Sequence, residues 1–429
     1  MKCAFYTLGC KVNQYESNAM AQAMENYGFT CVPSSEEADV YIINSCTVTA
    51  ESDRKTRQAV RKFKKNHPES IIVLTGCMTQ AFPGSASLLP EADIIIGNRN
   101  NSKLFAYVMQ YINGRERIVD IAPHENTEEF SGDTVSDYAD RTRAIVKIED
   151  GCNRFCSYCI IPYARGRVRS KPLEEIEKEV SELGRNGFAE IVLVGINLSA
   201  YGSDIGSDLV TAVKTAAECE GIKRVRLGSL EPDHITEEVI KGLSSVAGFC
   251  PQFHISLQSG CDKTLKRMNR HYNTVEYEDL CHRIRSVFEN ATITTDVMVG
   301  FPGESQSDFD VSLSFVKKTG FEKVHVFPYS RRPGTPAARM DGQISNQEKQ
   351  RRAEIMIDET DKIRKEFLSS QIGKVLEIIP EEHHADGVKG YTANYTPVIA
   401  VGNSIRSGEL LKVKIKDVQG DFCIGEPVT

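Results

Sequence analysis

Three cysteines sit within eight residues in Cys152-Asn-Arg-Phe-Cys156-Ser-Tyr-Cys159. Thiolates are the natural ligands of iron–sulfur clusters, and a short loop can wrap three of them around one cube. Structural zinc wants four closed ligands, and no fourth Cys or His lies nearby: the next His is His234. Three ligands on a four-iron cluster leave one iron open for chemistry. The competing readings are a zinc knuckle completed from afar and three inert thiols. Gly151 lets the chain turn sharply into the loop.

Cys10, Cys46 and Cys77 form a second set. Each follows an apolar run that reads as a strand: 5–8, 41–44 and 72–75. In a parallel sheet these points share one edge, and ligands bind outside the carboxyl ends of strands. Gly9, Ser45 and Gly76 precede the cysteines and allow close backbone approach. Cys3, Cys31, Cys219, Cys250, Cys261, Cys281 and Cys423 read mostly as small buried hydrophobes.

Other candidates stand at strand ends. Gly195 would let a cofactor approach and Asn197 would hydrogen-bond it, unless the pair is an ordinary turn. Ser229, Glu231, Gln258 and Asp296 are further candidates for a ribose or an amino group. Arg165, Arg167 and Arg169 follow the cysteine loop, as phosphate contacts or as partners of surface acids.

The elements that position these residues fall into three regions of an α/β chain. Strands at 3–8, 40–44, 71–75 and 94–96 alternate with polar helices, so residues 1–120 predict an open parallel sheet. Residues 121–140 are acidic and polar and read as a linker. Residues 141–368 carry strands at 144–148, 191–194, 224–227, 253–257, 292–299 and 324–327, with helices at 173–186, 208–219, 237–244, 275–288 and 305–319. Six such units fit a full or partial β/α barrel, TIM-like, followed by a charged helix at 347–369. Residues 371–429 show short β runs broken by Gly387, Gly390 and Gly420, which predicts a small antiparallel β-barrel.

The chain has 429 residues, thirteen cysteines and a net charge of −7. The first ten residues read as a strand and a loop rather than a secretion signal, and no apolar run is long enough to span a membrane. Free thiols in a reducing cytoplasm are therefore expected. Residues 54–65 hold seven Lys/Arg and no acid, and residues 141–171 hold eight against Glu149 and Asp150. Such runs suit phosphate binding or a solvated helix face. The last region is not strongly basic: Lys374, Lys389, Arg406, Lys412, Lys414 and Lys416 face eight acids.

The C-x₃-C-x₂-C loop, with the aromatic Tyr158 before its last Cys, resembles the radical S-adenosylmethionine (SAM) superfamily. Gly9-Cys10-Lys11-Val12-Asn13-Gln14-Tyr15-Glu16-Ser17, Asn44-Ser45-Cys46-Thr47-Val48 and Thr75-Gly76-Cys77 resemble the amino-terminal domain of its methylthiotransferases. Glu149-Asp150-Gly151-Cys152, Pro162-Tyr163-Ala164-Arg165-Gly166-Arg167 and the run from Phe327 to Ala337 match their radical domain, and the last region resembles their TRAM domain. The resemblance implies two 4Fe–4S clusters, one on Cys152, Cys156 and Cys159 and one on Cys10, Cys46 and Cys77. At the first, SAM is cleaved to a 5′-deoxyadenosyl radical, with Tyr158 beside it; the second carries the sulfur. It also implies a tRNA partner, an electron donor of the flavodoxin or ferredoxin type, a sulfur source and a chain that works as a monomer. Cys10 to Glu16 and Tyr329 to Thr335 look most like the branch acting on threonylcarbamoyladenosine next to the anticodon. Isopentenyladenosine in tRNA and an aspartate of a ribosomal protein are the alternative substrates; a non-catalytic RNA-binding zinc protein is the alternative of another class.

Overall fold

The computed structural model describes residues 1–132, 134–138, 142–385, 387–402 and 409–428. Arg406 lies outside the described residues. Strand–helix alternation builds the first layer: β1 (Lys2–Thr7), α1 (Lys11–Asn26), β2 (Thr30–Val32), β3 (Val40–Ser45), α2 (Ala50–Asn66), β4 (Ile71–Gly76), α3 (Cys77–Ala81), α4 (Pro83–Ser87), β5 (Ile94–Ile96), α5 (Leu104–Gly114) and β6 (Ile118–Asp120). The sheet is parallel in the order β2-β1-β3-β4-β5-β6. β3 and β4 are buried along their whole length, as a sheet covered on both faces requires. The edge strands β2 and β6 have only three residues each and no apolar run to announce them.

Residues 121–132 and 134–138 do not hang free. Val135 and Tyr138 are buried in the large central core, and the Phe130 ring lies 5.6 Å from Lys147 Nζ.

The central region runs through β7 (Arg143–Lys147), β8 (Glu149–Asp150), α6 (Ile161–Arg165), β9 (Arg169–Ser170), α7 (Leu173–Arg185), β10 (Glu190–Val194), α8 (Leu209–Ala217), β11 (Arg224–Leu227), β12 (Ser229–Leu230), α9 (Glu237–Ser244), β13 (Gln252–Ile255), α10 (Asp262–Arg267), α11 (Thr274–Val287), β14 (Thr292–Val299), α12 (Gln306–Thr319), β15 (Lys323–Pro328) and α13 (Asn346–Ser369). Parallel β7-β10-β11 continues across Gly228 into parallel β12-β13-β14-β15. β7 and β15 are not paired with each other among the described residues. The result is the expected partial barrel, open along one side. β8 and β9 form a small antiparallel pair that leads into and out of the cysteine loop.

The last region is a closed five-stranded barrel: β16 (Val375–His384), β17 (Gly387–Thr392), β18 (Pro397–Val401), β19 (Leu411–Gln419) and β20 (Phe422–Pro427), in the order β16-β17-β18-β20-β19. It is antiparallel except for the β18–β20 pair. Gly387 and Gly390, which read as breaks, lie inside β17, whereas Gly420 does separate β19 from β20. A Cβ at Gly390 would collide with the Ile379 carbonyl of the paired strand, so the missing side chain permits this close approach.

Three arginines on two central strands, β7 and β11, clamp this barrel. Arg224 Nη2 donates to the Glu377 carbonyl at 3.0 Å, and Arg226 donates to the Ala393 and Thr392 carbonyls at 2.8 and 3.1 Å. Arg143 pairs with Glu381 at 2.7 Å, and its guanidinium lies 4.9 Å from the Tyr391 ring centroid. Arg226 also pairs with the buried Glu190 at 2.8 Å. Arg226→Met should therefore leave Glu190 short of its nearest cation, at a cost of about 3 kcal/mol. A lowered urea midpoint and earlier proteolytic release of the C-terminal barrel would check this.

Candidate active site

The two cysteine sets converge because the strand ends do. Cys10 immediately precedes α1, Cys46 follows β3, and Cys77 opens α3 directly after β4. A Cβ on Gly9 would sit 3.0 Å from Cys46 Cβ. Asparagines brace the loops between them. Asn13 Nδ2 donates to the Ser45 carbonyl at 3.0 Å and to Asn44 Oδ1 at 3.2 Å, and Cys10 Sγ donates to Asn13 Oδ1 at 3.4 Å.

The second loop leaves β8 through Gly151, whose φ of +90° suits glycine and whose added Cβ would strike the Arg167 carbonyl. The Cys159 amide donates to the Cys156 carbonyl at 2.9 Å, and Ser157 is tied to Met268 and Arg267 carbonyls at 2.9 and 2.8 Å. α6 begins two residues after Cys159. Its last residue, Arg165, donates through Nε to Cys77 Sγ at 3.2 Å. A five-residue helix is only about 7–8 Å long, so one short helix spans the two cysteine sets.

Arg165 is 1% exposed. It pairs with Glu16 through both terminal nitrogens and lies 3.5 Å from Asp150. Lys147 reaches Glu16 at 2.8 Å and Asp150 at 2.7 Å; Arg169 is 3.4 Å from Asp150 and 3.6 Å from Glu128. Burial opposes charge on Glu16 and Asp150, yet Arg165 and Lys147 hold both carboxyls below their ordinary range. The expectation that Arg165 and Arg169 contact RNA phosphates is therefore corrected: both are internal, and their charge is spent on buried acids. Arg167, between them, is exposed. It lies 5.1 Å over Phe155, which meets Tyr163 edge-on.

Arg270 donates to Cys156 Sγ at 3.2 Å and pairs with Glu231. Glu231 is thus committed to holding Arg270. Gln258 has a left-handed φ of +65° and donates its amide to the Asp296 carbonyl at 2.8 Å. Asp296 itself lies 3.3 Å from His254 Nε2. The Tyr158 ring packs against the cluster of Met268, Phe301, Tyr329 and Ala337. Ser229 is exposed toward a cavity of about 680 Å³, which Gly195, Asp296, His254, His325 and Cys10 also line. The chamber runs between all three regions, since Tyr391, Asn394 and Tyr395 complete its wall.

Glu149, Arg270 and Glu16 were not singled out as site residues from the sequence. Glu149 is fully buried and accepts from the Asn197 amide at 2.7 Å. Burial, with Asp150 beside it, raises its carboxyl well above the usual range. Its Oε1, and Asn197 Oδ1, are buried without a hydrogen-bond partner. A Cβ at Gly195 would sit 2.5 Å from Glu149 Oε2. The only signal for Glu149 was its place in the Glu-Asp-Gly-Cys run; Arg270 had none.

The donor sets suit iron–sulfur clusters. All thirteen cysteines are free, and a guanidinium already donates to one sulfur of each set, as anionic thiolate ligands favour. In the metal-free protein, burial pushes the Cys77 and Cys152 thiols up to about 12. Among the described residues, no three His, Cys, Asp or Glu side chains gather as they would around a single ion. The orphaned acceptors of Glu149 and Asn197 suit the ammonium of an amino acid such as the methionine part of SAM. Outside the site, Cys3 and Cys31 approach to 3.1 Å between paired positions of β1 and β2.

Arg165→Met should destabilise the cluster-free protein by about 3–5 kcal/mol, because buried Glu16 loses its bidentate partner; the urea midpoint reads this. Glu149→Gln has the opposite sign. A raised carboxyl favours folding below its unfolded value, about 4.3, and that contribution fades as pH rises toward the folded value. The cluster-free variant should melt higher than wild type at pH 8 and equally near pH 4, in paired thermal scans.

Two family models match the chain: the uncharacterized protein family UPF0004 over residues 2–97 and the radical SAM superfamily over residues 146–316. The threonylcarbamoyladenosine tRNA methylthiotransferase MtaB of Bacillus subtilis is 39% identical over 96% of this chain and 93% of its own. Its namesake from Thermotoga maritima is 37% identical over 97% and 95%. A tRNA-2-methylthio-N(6)-dimethylallyladenosine synthase of Pelotomaculum thermopropionicum is 32% identical over 96% and 95%. Among solved structures, the radical SAM methyltransferase TsrM of Kitasatospora setae, with tryptophan and aza-SAM bound, superposes with a TM-score of 0.57 at 13% identity, over 78% of this chain and 75% of that one; that likeness concerns the fold alone. Identity above 30% along nearly the whole chain places this protein in the radical SAM methylthiotransferase family.

Proposed function

We propose that this chain adds a methylthio group to carbon 2 of N6-threonylcarbamoyladenosine at position 37 of tRNA. The observation that carries the reading is the pair of three-cysteine sets, one short helix apart, with Cys10 opening on the same chamber as Gly195 and Asp296. An aromatic C–H at carbon 2 is neither acidic nor electrophilic enough for a side-chain base or nucleophile. The bound clusters and SAM supply radical chemistry for that bond, and the sulfur to be delivered.

The protein's own part is to hold and orient. Cys152, Cys156 and Cys159 would hold one four-iron cluster and leave an iron open. Cys10, Cys46 and Cys77 would hold the other. Arg270 and Arg165 donate to ligand sulfurs and steady the thiolate form. Glu149 and Asn197 would accept from the SAM amino group, with Gly195 leaving the space; Ser229 and Asp296 face the chamber where the nucleoside would sit. Glu231 and Gln258 act indirectly, through Arg270 and the Asp296 backbone. Tyr158 would pack beside the first cluster.

Exposed Arg167, with Phe155 and Tyr163, offers charge and aromatic surface to an RNA loop. The C-terminal barrel would contact the same tRNA. Electrons would come from a flavodoxin- or ferredoxin-like donor, and the sulfur from a separate source. The modular layout works as a monomer in the cytoplasm. No helix among the described residues is long and apolar enough to cross a membrane.

Nucleoside mass spectrometry on tRNA from a deletion strain tests the substrate. Methylthiolated threonylcarbamoyladenosine should vanish and its unmethylthiolated precursor accumulate. A Cys10→Ala copy should not restore it. Persistence of the modified nucleoside, or loss of methylthiolated isopentenyladenosine instead, would overturn the reading.

A further inference from the structure

Behind one side of the chamber, charges do not balance among the described residues. Where the C-terminal barrel meets β7, β10 and β11, four cations gather: Lys11, Arg143, Arg224 and Arg226. Three carboxylates face them. Glu381 pairs with Arg143 at 2.7 Å, Glu377 with Arg224 at 3.0 Å, and Glu190 with Arg226 at 2.8 Å. Each arginine has its acid and carbonyl or ring partners besides. Lys11 has none among the described residues: its side chain makes no hydrogen bond or ion pair with them, and it lines the 680 Å³ chamber beside Cys10. Tyr395 is its foremost electrostatic neighbour, followed by Arg143, Arg226 and Glu190.

An unmatched ammonium inside a chamber that takes a nucleoside is a ready site for an anion on that nucleoside. The inference rests on the substrate reading above and deepens it. The threonylcarbamoyl group ends in a carboxylate; an isopentenyl group is uncharged. Carbon 2 must approach the sulfur held near Cys10, and carbon 6, which carries the N6 substituent, is separated from carbon 2 only by N1, on the same edge of the purine ring. A long side chain that starts one residue after Cys10 and lines the same chamber is therefore within reach of a group carried on that substituent.

We propose that Lys11 binds the carboxylate of the threonylcarbamoyl group and thereby selects this substrate over uncharged N6-substituted adenosines. Selection works in both directions. The acid substrate gains a charge-assisted hydrogen bond, while an apolar substituent would desolvate the ammonium without repaying it.

The test uses the cluster-loaded enzyme and three anticodon stem-loops: one bearing threonylcarbamoyladenosine, one its methyl ester, one isopentenyladenosine. Wild type should prefer the acid to the ester by roughly 10- to 100-fold in kcat/KM, mostly through KM. Lys11→Met should abolish that preference, and Lys11→Arg should restore part of it. Iron content and RNA-free SAM cleavage of Lys11→Met should match wild type. If that variant fails to load iron, the acid-to-ester ratio of wild type and Lys11→Arg decides. Equal use of acid and ester by wild type, or equal loss on both in Lys11→Met, would overturn the role of Lys11. Wild-type turnover of the isopentenyl stem-loop alone would instead overturn the substrate reading.

Discussion

The buried pairing of Arg165 with Glu16 is the interaction on which the site depends. Glu16 belongs to α1 of the first layer, and Arg165 ends the helix that follows the cysteine loop of the second. Their union, extended by Lys147, Asp150 and Arg169, fixes the two layers in one orientation. Burying so many charges is expensive, and a well-packed apolar contact would often hold as well. An apolar contact would not present a guanidinium to Cys77. Here the interdomain lock and the hydrogen-bond donor to the Cys77 sulfur are the same group.

The same logic recurs on the other cysteine set. Arg270 joins Glu231 and donates to Cys156, so an ion pair again delivers a donor to a thiol. The chamber beside Cys10 is walled by residues of all three regions. Its shape is set by interdomain contacts, including the arginine clamp that seats the C-terminal barrel. Loosening either lock would shift one wall relative to the others, and positioning at the ångström scale is what such chemistry needs.

Much of this was legible in the sequence because the relevant constraints are local. Six apolar runs of the central region became strands, and Cys10, Cys46 and Cys77 stood past their strands because Gly-Cys and Ser-Cys junctions mark the sheet edge. β2, β6 and β17 were not legible. The first two are short edges stabilised by a neighbour, and β17 is a strand through glycines that only a tight barrel requires. Arg165, Arg167 and Arg169 looked alike in the sequence. Their fates differ because Glu16, some 150 residues away, claims the first and Glu128 with Asp150 the third. Glu149 was hidden for a similar reason: its orphaned oxygen appears only once β10 brings Asn197 against it.

The central claim is that each cysteine triplet holds its own cluster. Iron and acid-labile sulfide, measured on anaerobically purified protein, test it most directly. Wild type should carry about eight of each per chain, and changing either triplet to alanine should leave about four. Stoichiometric zinc without iron, or four irons that vanish when only one of the triplets is changed, would contradict the account.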